Sequence, residues 1–198
     1  EAARFFHQCL QDPKFSPPWE YIRKRGLTPD TIRRFGIGYA PDGWHALTDH
    51  LKAKGFTPSE LVQVNLAGEK NGRVYDFFRH RLMFPILDEK GRVVAFGGRT
   101  LDPNATGQKY LNTGNTPVFQ KKFHLYAYPQ ARKSDGDRIV LVEGYMDAVS
   151  LHQAGIRYAV ASLGTSLTPE QARLLAKSGK KEVIIAYDAD RAGAAATE

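Results

Sequence analysis

The chain of 198 residues carries 28 Lys and Arg against 21 Asp and Glu, a net charge of +7, and is 42% hydrophobic. That size allows one large core or two small ones, and the single cysteine, Cys9, excludes an intrachain disulfide framework and a cysteine-built zinc site. No apolar run approaches a membrane span and no signal peptide opens the sequence, so the expectation is a cytoplasmic chain with no membrane partner.

The basic excess is uneven. Residues 1–124 hold 19 Lys and Arg against 12 Asp and Glu, whereas residues 125–198 hold 9 of each. A basic surface suits a polyanionic partner, although a solvated face would show the same charge. In chain order, residues 1–12 read as an amphipathic helix, with Ala2, Phe5, Phe6, Cys9 and Leu10 on one face. A second helix is expected from Trp19 to Arg25, closed by Gly26. Thr28 then caps a third, with Pro29 at its first position and an end near Phe35-Gly36. Gly38 to Pro41 reads as a short strand, and helices follow over Trp44–Lys54 and Pro58–Val64. Asn71-Gly72 signals a hairpin turn before a strand over 74–78.

A further hairpin joins Leu82–Leu87 to Arg92–Phe96 through Asp88-Glu89-Lys90-Gly91, with Pro85 placing its strand at an edge or a bulge. Arg79 and Arg81 bracket it on one side and Gly97-Gly98-Arg99 on the other. Two glycines before an arginine let the backbone approach a phosphate that the guanidinium grips, or simply form a tight turn. Thr100 to Gln108 reads as a loop. Lys109-Tyr110-Leu111-Asn112 then combines a cation, a stacking ring and an amide, a set suited to single-stranded nucleic acid or a nucleotide. Lys121 extends that track. The domain junction is expected near residue 122, dividing the chain into a basic α+β unit at 1–121 and a second unit at 122–198.

The second unit reads strand, helix, strand, helix, strand. Its apolar runs, Ile139–Val142, Tyr158–Ser162 and Glu182–Tyr187, look like buried parallel strands, and the first and last end on Glu143 and on Asp188-Ala189-Asp190. A parallel sheet would gather these acids at one edge, where open α/β sheets bind ligands. Asp147, one helical turn past Glu143, can face the same place. Crowded carboxylates repel each other unless a cation neutralises them, and an all-oxygen donor set favours a hard ion such as Mg²⁺. Acids at strand ends also serve as plain helix caps, so each group alone leaves both readings open. Thr168-Pro169-Glu170-Gln171 is a capping box opening the second helix.

Glu143-Gly-Tyr-Met-Asp147, Ala161-Ser-Leu-Gly-Thr165 and Asp188-Ala-Asp-Arg-Ala-Gly193 resemble the Toprim domain of bacterial DnaG-type primases. Upstream, Lys24-Arg-Gly-Leu27, Phe35-Gly-Ile-Gly-Tyr-Ala-Pro41, Arg81-Leu-Met-Phe-Pro85, Phe96-Gly-Gly-Arg99 and Lys109-Tyr-Leu-Asn112 resemble segments preceding Toprim in that family, in the same order. The resemblance implies an α/β protein whose Toprim subdomain is C-terminally truncated here. It implies an RNA-primer polymerase acting on a single-stranded DNA template with ribonucleoside triphosphates and an RNA primer/DNA hybrid as product. Glu143, Asp188 and Asp190 would be catalytic and, with Asp147, would hold Mg²⁺ or Mn²⁺, with no zinc in this stretch. Arg25, Arg79, Arg81, Arg99, Lys109, Tyr110, Asn112 and Lys121 would contact nucleic acid or triphosphate. A replicative helicase and a single-strand-binding protein would engage regions outside this chain. The alternatives are another Toprim enzyme, nuclease- or topoisomerase-like, or a non-catalytic single-strand-binding module.

Overall fold

Helix boundaries follow the caps written in the sequence. α1 (Ala2–Gln11) buries Ala2, Phe6 and Leu10, and α2 (Pro17–Lys24) buries Ile22. α3 (Pro29–Phe35) starts where Thr28 Oγ1 accepts from the Thr31 amide and stops at Gly36, whose φ of 61° is left-handed. The computed structural model describes residues 1–164 and 166–188. The chain divides into two units, residues 1–85 with 95–119, and residues 86–94 with 120–198. The tip of the second hairpin therefore belongs to the second unit, a discontinuity with no mark in the sequence.

In the first unit β1 (Gly38–Ala40) lies against α1, and a Cβ on Gly38 would stand 2.6 Å from the Phe6 backbone, so only glycine permits that approach. α4 (Ala46–Ala53) and α5 (Pro58–Gln63) lead to a hairpin of β2 (Ala67–Lys70) and β3 (Arg73–Asp76). Its turn holds Asn71 and Gly72 at φ 51° and 73°, the paired left-handed residues of a two-residue hairpin loop. β4 (Arg81–Leu87), β5 (Val93–Thr100) and β6 (Tyr110–Asn112) complete a sheet of order β1-β4-β5-β6. β4 is thus interior in the strand order, so the expectation of an edge or a bulge at Pro85 holds only locally. The proline is tolerated because β1 pairs only with Arg81–Met83 and Pro85 lies beyond that ladder. Phe6, Leu47, Leu51, Leu61, Phe78, Met83 and Phe96 form the core.

In the second unit α6 (Tyr128–Arg132) precedes β7 (Arg138–Val142), α7 (Tyr145–Gln153), β8 (Ala159–Ala161), α8 (Pro169–Ala176) and β9 (Glu182–Ile185). The sheet has the order β8-β7-β9 with both pairings parallel, so the chain is α/β as its patterning implied. β9 departs from expectation. Among the described residues it is an edge strand, and Val183, Ile184 and Ile185 are 41%, 38% and 41% exposed rather than buried. β7 is central and buries Ile139, Leu141 and Val142. Gln171, fully buried at the start of α8, donates from Nε2 to the carbonyls of Lys121 and His124 and accepts the Thr168 amide on Oε1. The capping box thus also fastens the 3₁₀ turn at Lys121–Phe123.

Candidate functional site

The first unit presents two adjoining clefts. One, of about 460 Å³, is lined by Tyr21, Lys24, Arg25, Arg99, Lys109 and residues of the loop that follows β5. Tyr21 organises it. Its ring lies 4.0 Å from the Arg99 guanidinium carbon and 5.4 Å from that of Arg25, while its hydroxyl oxygen accepts Arg25 Nε at 3.0 Å. Arg99 Nη1 donates to the Thr100 carbonyl at 2.9 Å, and its Nε is buried with no hydrogen-bond partner among the described residues. A buried donor left open beside a cationic cleft is a position where an anion's oxygen would be stabilised.

The second cleft, of about 480 Å³, shares Thr100, Asp102, Pro103 and Ala105 with the first and adds Asp42, Phe77, Arg79, His80, Arg81 and Leu111. Arg79 stacks 4.2 Å over Trp44 and 5.6 Å from Tyr75, and its Nη1 donates to the Asp76 carbonyl. Arg81 points its Nη1 at three carbonyls, Gly98 at 3.0 Å and Gln108 and Lys109 at 3.5 Å, which ties β4 to the base of the loop. Burial, with Arg79 next to it, lowers its proton affinity below the ordinary arginine value. Gly98 is small for packing, since a Cβ there would stand 2.8 Å from Phe78 and 3.1 Å from Arg81. Packing thus accounts for Gly98, and both Gly97 and Gly98 lie inside β5 rather than in a tight turn. Tyr110 and Asn112 sit half-buried in β6, paired in register with Arg99 and Gly97. Lys121 lies in the second unit, in the 3₁₀ turn.

Sequence reasoning missed Tyr21, Lys24, Trp44 and His80 here. The interleaving of aromatic and basic residues over Tyr21–Arg25 was the available signal; the other contacts are made only by folding.

The acidic edge lies at the C-terminal ends of β7 and β9. Glu143 is half-buried and Asp188 exposed, and the Asp188 amide donates to Glu143 Oε1 at 3.1 Å across 45 positions of sequence. Asp147 is exposed in the first turn of α7, where its Oδ2 accepts the Gly144 amide at 3.1 Å. A Cβ on Gly144 would stand 2.8 Å from that oxygen, so the glycine admits the cap. Tyr187, also missed, keeps its hydroxyl buried without a hydrogen-bond partner among the described residues, and burial, then the Glu143 charge, raises its titration point. Asp190 lies outside the described residues, as does Thr165. Among the described residues no group of three or more His, Cys, Asp or Glu gathers closely enough to hold an ion. The backbone of Asp188 does reach the Glu143 carboxylate, so the sheet brings the two residues to one edge; carboxylate oxygens are the donor type a hard divalent cation takes.

A three-strand parallel sheet with carboxylates at the ends of β7 and β9, following a basic antiparallel unit, defines a Toprim-type α/β protein. The chain belongs to the DNA primase catalytic-core family: the family's N-terminal domain matches residues 5–132 and a Toprim-like domain matches residues 140–198. It is 50% identical over 198 residues to a DNA primase of Clostridium acetobutylicum and 45% identical over 195 residues to that of Escherichia coli K12. It covers 100% and 96% of its own length in those matches, and spans 32% of each relative. The E. coli primase catalytic core superposes with a TM-score of 0.89 at 44% identity, covering 98% of this chain and 62% of that one. The RNA polymerase domain of Mycobacterium tuberculosis primase DnaG superposes at 0.91 and 36% identity, covering 98% and 66%. A further match, at 0.88 and 44% over 98% of this chain and 61% of the other, is a DnaG primase catalytic domain bound to ssDNA. These relatives do not favour a nuclease or a topoisomerase. Among the described residues no helix is long and apolar enough to cross a membrane.

Proposed function

We propose that this chain is the template-binding and metal-binding part of a primase that joins ribonucleotides on single-stranded DNA. The observation that carries the reading is the Arg25–Tyr21–Arg99 stack, with Lys24 and Lys109 around it and the buried Arg99 Nε still open. Phosphates of a single strand, or of a triphosphate, would lie along this cationic cleft, with Arg79 and the Arg81-anchored loop continuing the path. Tyr110, Asn112 and Lys121 would add a stacking ring, an amide and a further cation. The functional boundary would fall between residues 121 and 122.

Toprim primases use divalent metals in general, and here Glu143, Asp147, Asp188 and Asp190 would hold Mg²⁺ or Mn²⁺. When bound, such an ion would bind triphosphate oxygens and lower the pKa of the attacking 3′-hydroxyl. Glu143 would be either ligand or general base. Its carboxylate is oriented by the Asp188 amide, which fixes one oxygen. The cap on Gly144 engages Oδ2 of Asp147 and fixes that side chain at the first turn of α7. A helicase and a single-strand-binding protein would engage regions beyond this chain, at the replication fork in the cytoplasm.

The test uses the intact protein on a single-stranded template with ribonucleotides. Arg99→Ala should weaken template affinity about tenfold while Glu143→Gln and Asp188→Asn leave affinity intact and abolish primer synthesis. Primer synthesis surviving Asp188→Asn at wild-type rate would remove the metal assignment. Unchanged affinity in Arg99→Ala would remove the cleft.

A further inference from the structure

His80 stands between Arg79 and Arg81 and is one of the few non-glycine residues with positive φ, at 49°. Left-handed backbone at a bulky residue persists only where its surroundings over-determine it. They do so here. The His80 amide donates to the Pro41 carbonyl at 3.2 Å, its carbonyl accepts the Leu101 amide at 3.1 Å, and its Nδ1 meets the Tyr39 hydroxyl at 2.9 Å. Tyr39 is 2% exposed and its ring meets the imidazole edge-on at 6.1 Å. The ring is therefore aimed, and one of its two nitrogens is already used.

What is left over differs among the three neighbours. Arg79 is stacked on Trp44 and bonded to the Asp76 carbonyl, and Arg81 Nη1 is turned inward to the Gly98, Gln108 and Lys109 carbonyls. His80 Nε2 has no partner among the described residues, while the side chain lines the second cleft with both arginines and Thr100. We propose that His80 is a phosphodiester contact of this cleft, its Nε2–H donating to a backbone phosphate oxygen of the bound single strand. The inference rests on the reading of the clefts as the nucleic-acid interface. The Tyr39 hydroxyl serves as donor to the neutral ring and can turn to accept from Nδ1–H when the ring gains a proton, so the aim survives a change of charge. Tyr39 from β1 contacts the ring, and Asp42, Arg79, Arg81 and Asp102 line the same cleft. Burial, with the Asp42 charge second, raises the Tyr39 titration point, which keeps that hydroxyl protonated.

The probe is a fluorescein-labelled oligo(dT) of about 15 nucleotides, with binding to the intact protein followed by anisotropy. His80→Asn is the variant of choice, because Asn accepts the left-handed backbone and offers Tyr39 a polar partner. His80→Asn should bind about three- to tenfold more weakly than wild type. On wild-type protein the oligonucleotide should also shift the imidazole ¹⁵N resonance of His80 while leaving that of buried His152 in place, a readout that needs no substitution. An identical affinity in His80→Asn, or an unmoved His80 resonance at saturation, would overturn the assignment. Unchanged affinity in Arg99→Ala would instead overturn the cleft itself, so the two failures are told apart.

Discussion

The two units handle charge in opposite ways. In the first, cations are tied down before any ligand arrives: Tyr21 holds Arg25 and Arg99, Trp44 holds Arg79, and carbonyls hold Arg81. In the second, the acids are aligned mainly by topology. Two parallel strand ends bring Glu143 to the Asp188 amide, and β9 beside them leaves Val183, Ile184 and Ile185 largely exposed. A guanidinium carries long, rotatable arms that must be preorganised to bind phosphate at low entropic cost, whereas carboxylates at strand ends inherit their position from the backbone. Preorganisation of side chains by side chains marks the first unit, and preorganisation by sheet register marks the second.

That contrast is sharpened most by removing the supports. Asp76, 2% exposed in β3, accepts from the Leu47 amide at 2.8 Å, the Thr48 amide at 2.8 Å and the Thr48 hydroxyl at 2.5 Å. Asp76→Ala strands the first-turn amides of α4 in the interior and should cost about 3 kcal/mol. Urea unfolding checks the magnitude, and hydrogen exchange at Leu47 and Thr48 locates it. In the second unit Gln171→Ala leaves the Lys121 and His124 carbonyls and the Thr168 amide without their buried partner, for about 2 kcal/mol by the same measurement. Exchange should rise around residues 121–124 while α4 stays protected. If protection falls equally in both places, the two units unfold as one and the contrast fails. Gly98→Ala, smaller still, forces Phe78 or Arg81 to move from a contact of 2.8 or 3.1 Å and should cost about 1–2 kcal/mol. It should also weaken template binding, because Arg81 holds the wall shared by both clefts.

Sequence was most legible where the physics is local. Thr28-Pro29 with Gly36, Asn71-Gly72, and Thr168 with Gln171 each close hydrogen bonds within a few residues, and the structure has all three. The alternation of apolar runs with helical segments likewise carried the parallel sheet and the meeting of Glu143 with Asp188. β2, with its polar Gly68-Glu69-Lys70, and β6 escaped notice because pairing rather than patterning makes them strands. Tyr21 under Arg99, Trp44 under Arg79 and Tyr39 beside His80 were invisible, since each joins positions 35 to 78 apart. The exposure of β9 was misread for a related reason: an apolar run signals affinity for a neighbour but not whether the described chain supplies one.

The mildest expected effect concerns the hairpin tip, which the fold assigns to the second unit although both its strands run on into the first. Burial alone would raise the Asp88 titration point, but the Arg92 amide and guanidinium, at 2.9 and 2.7 Å, and the Lys90 amide outweigh it and hold the carboxyl below the usual range. A carboxylate depressed in the folded state stabilises above its unfolded value of about 3.9, and that share is lost as pH falls through the lower folded value. Because Arg92 is 71% exposed, the share is screened to about 0.5 kcal/mol. Asp88→Asn should therefore lower the urea midpoint slightly at about pH 7 and leave it unchanged near pH 2, where wild type has lost the same contribution. Exchange at β7 should register that loss and exchange at α1 should not. Equal sensitivity at α1 would show that the hairpin transmits strain along its strands, and that the tip belongs energetically to the first unit as well.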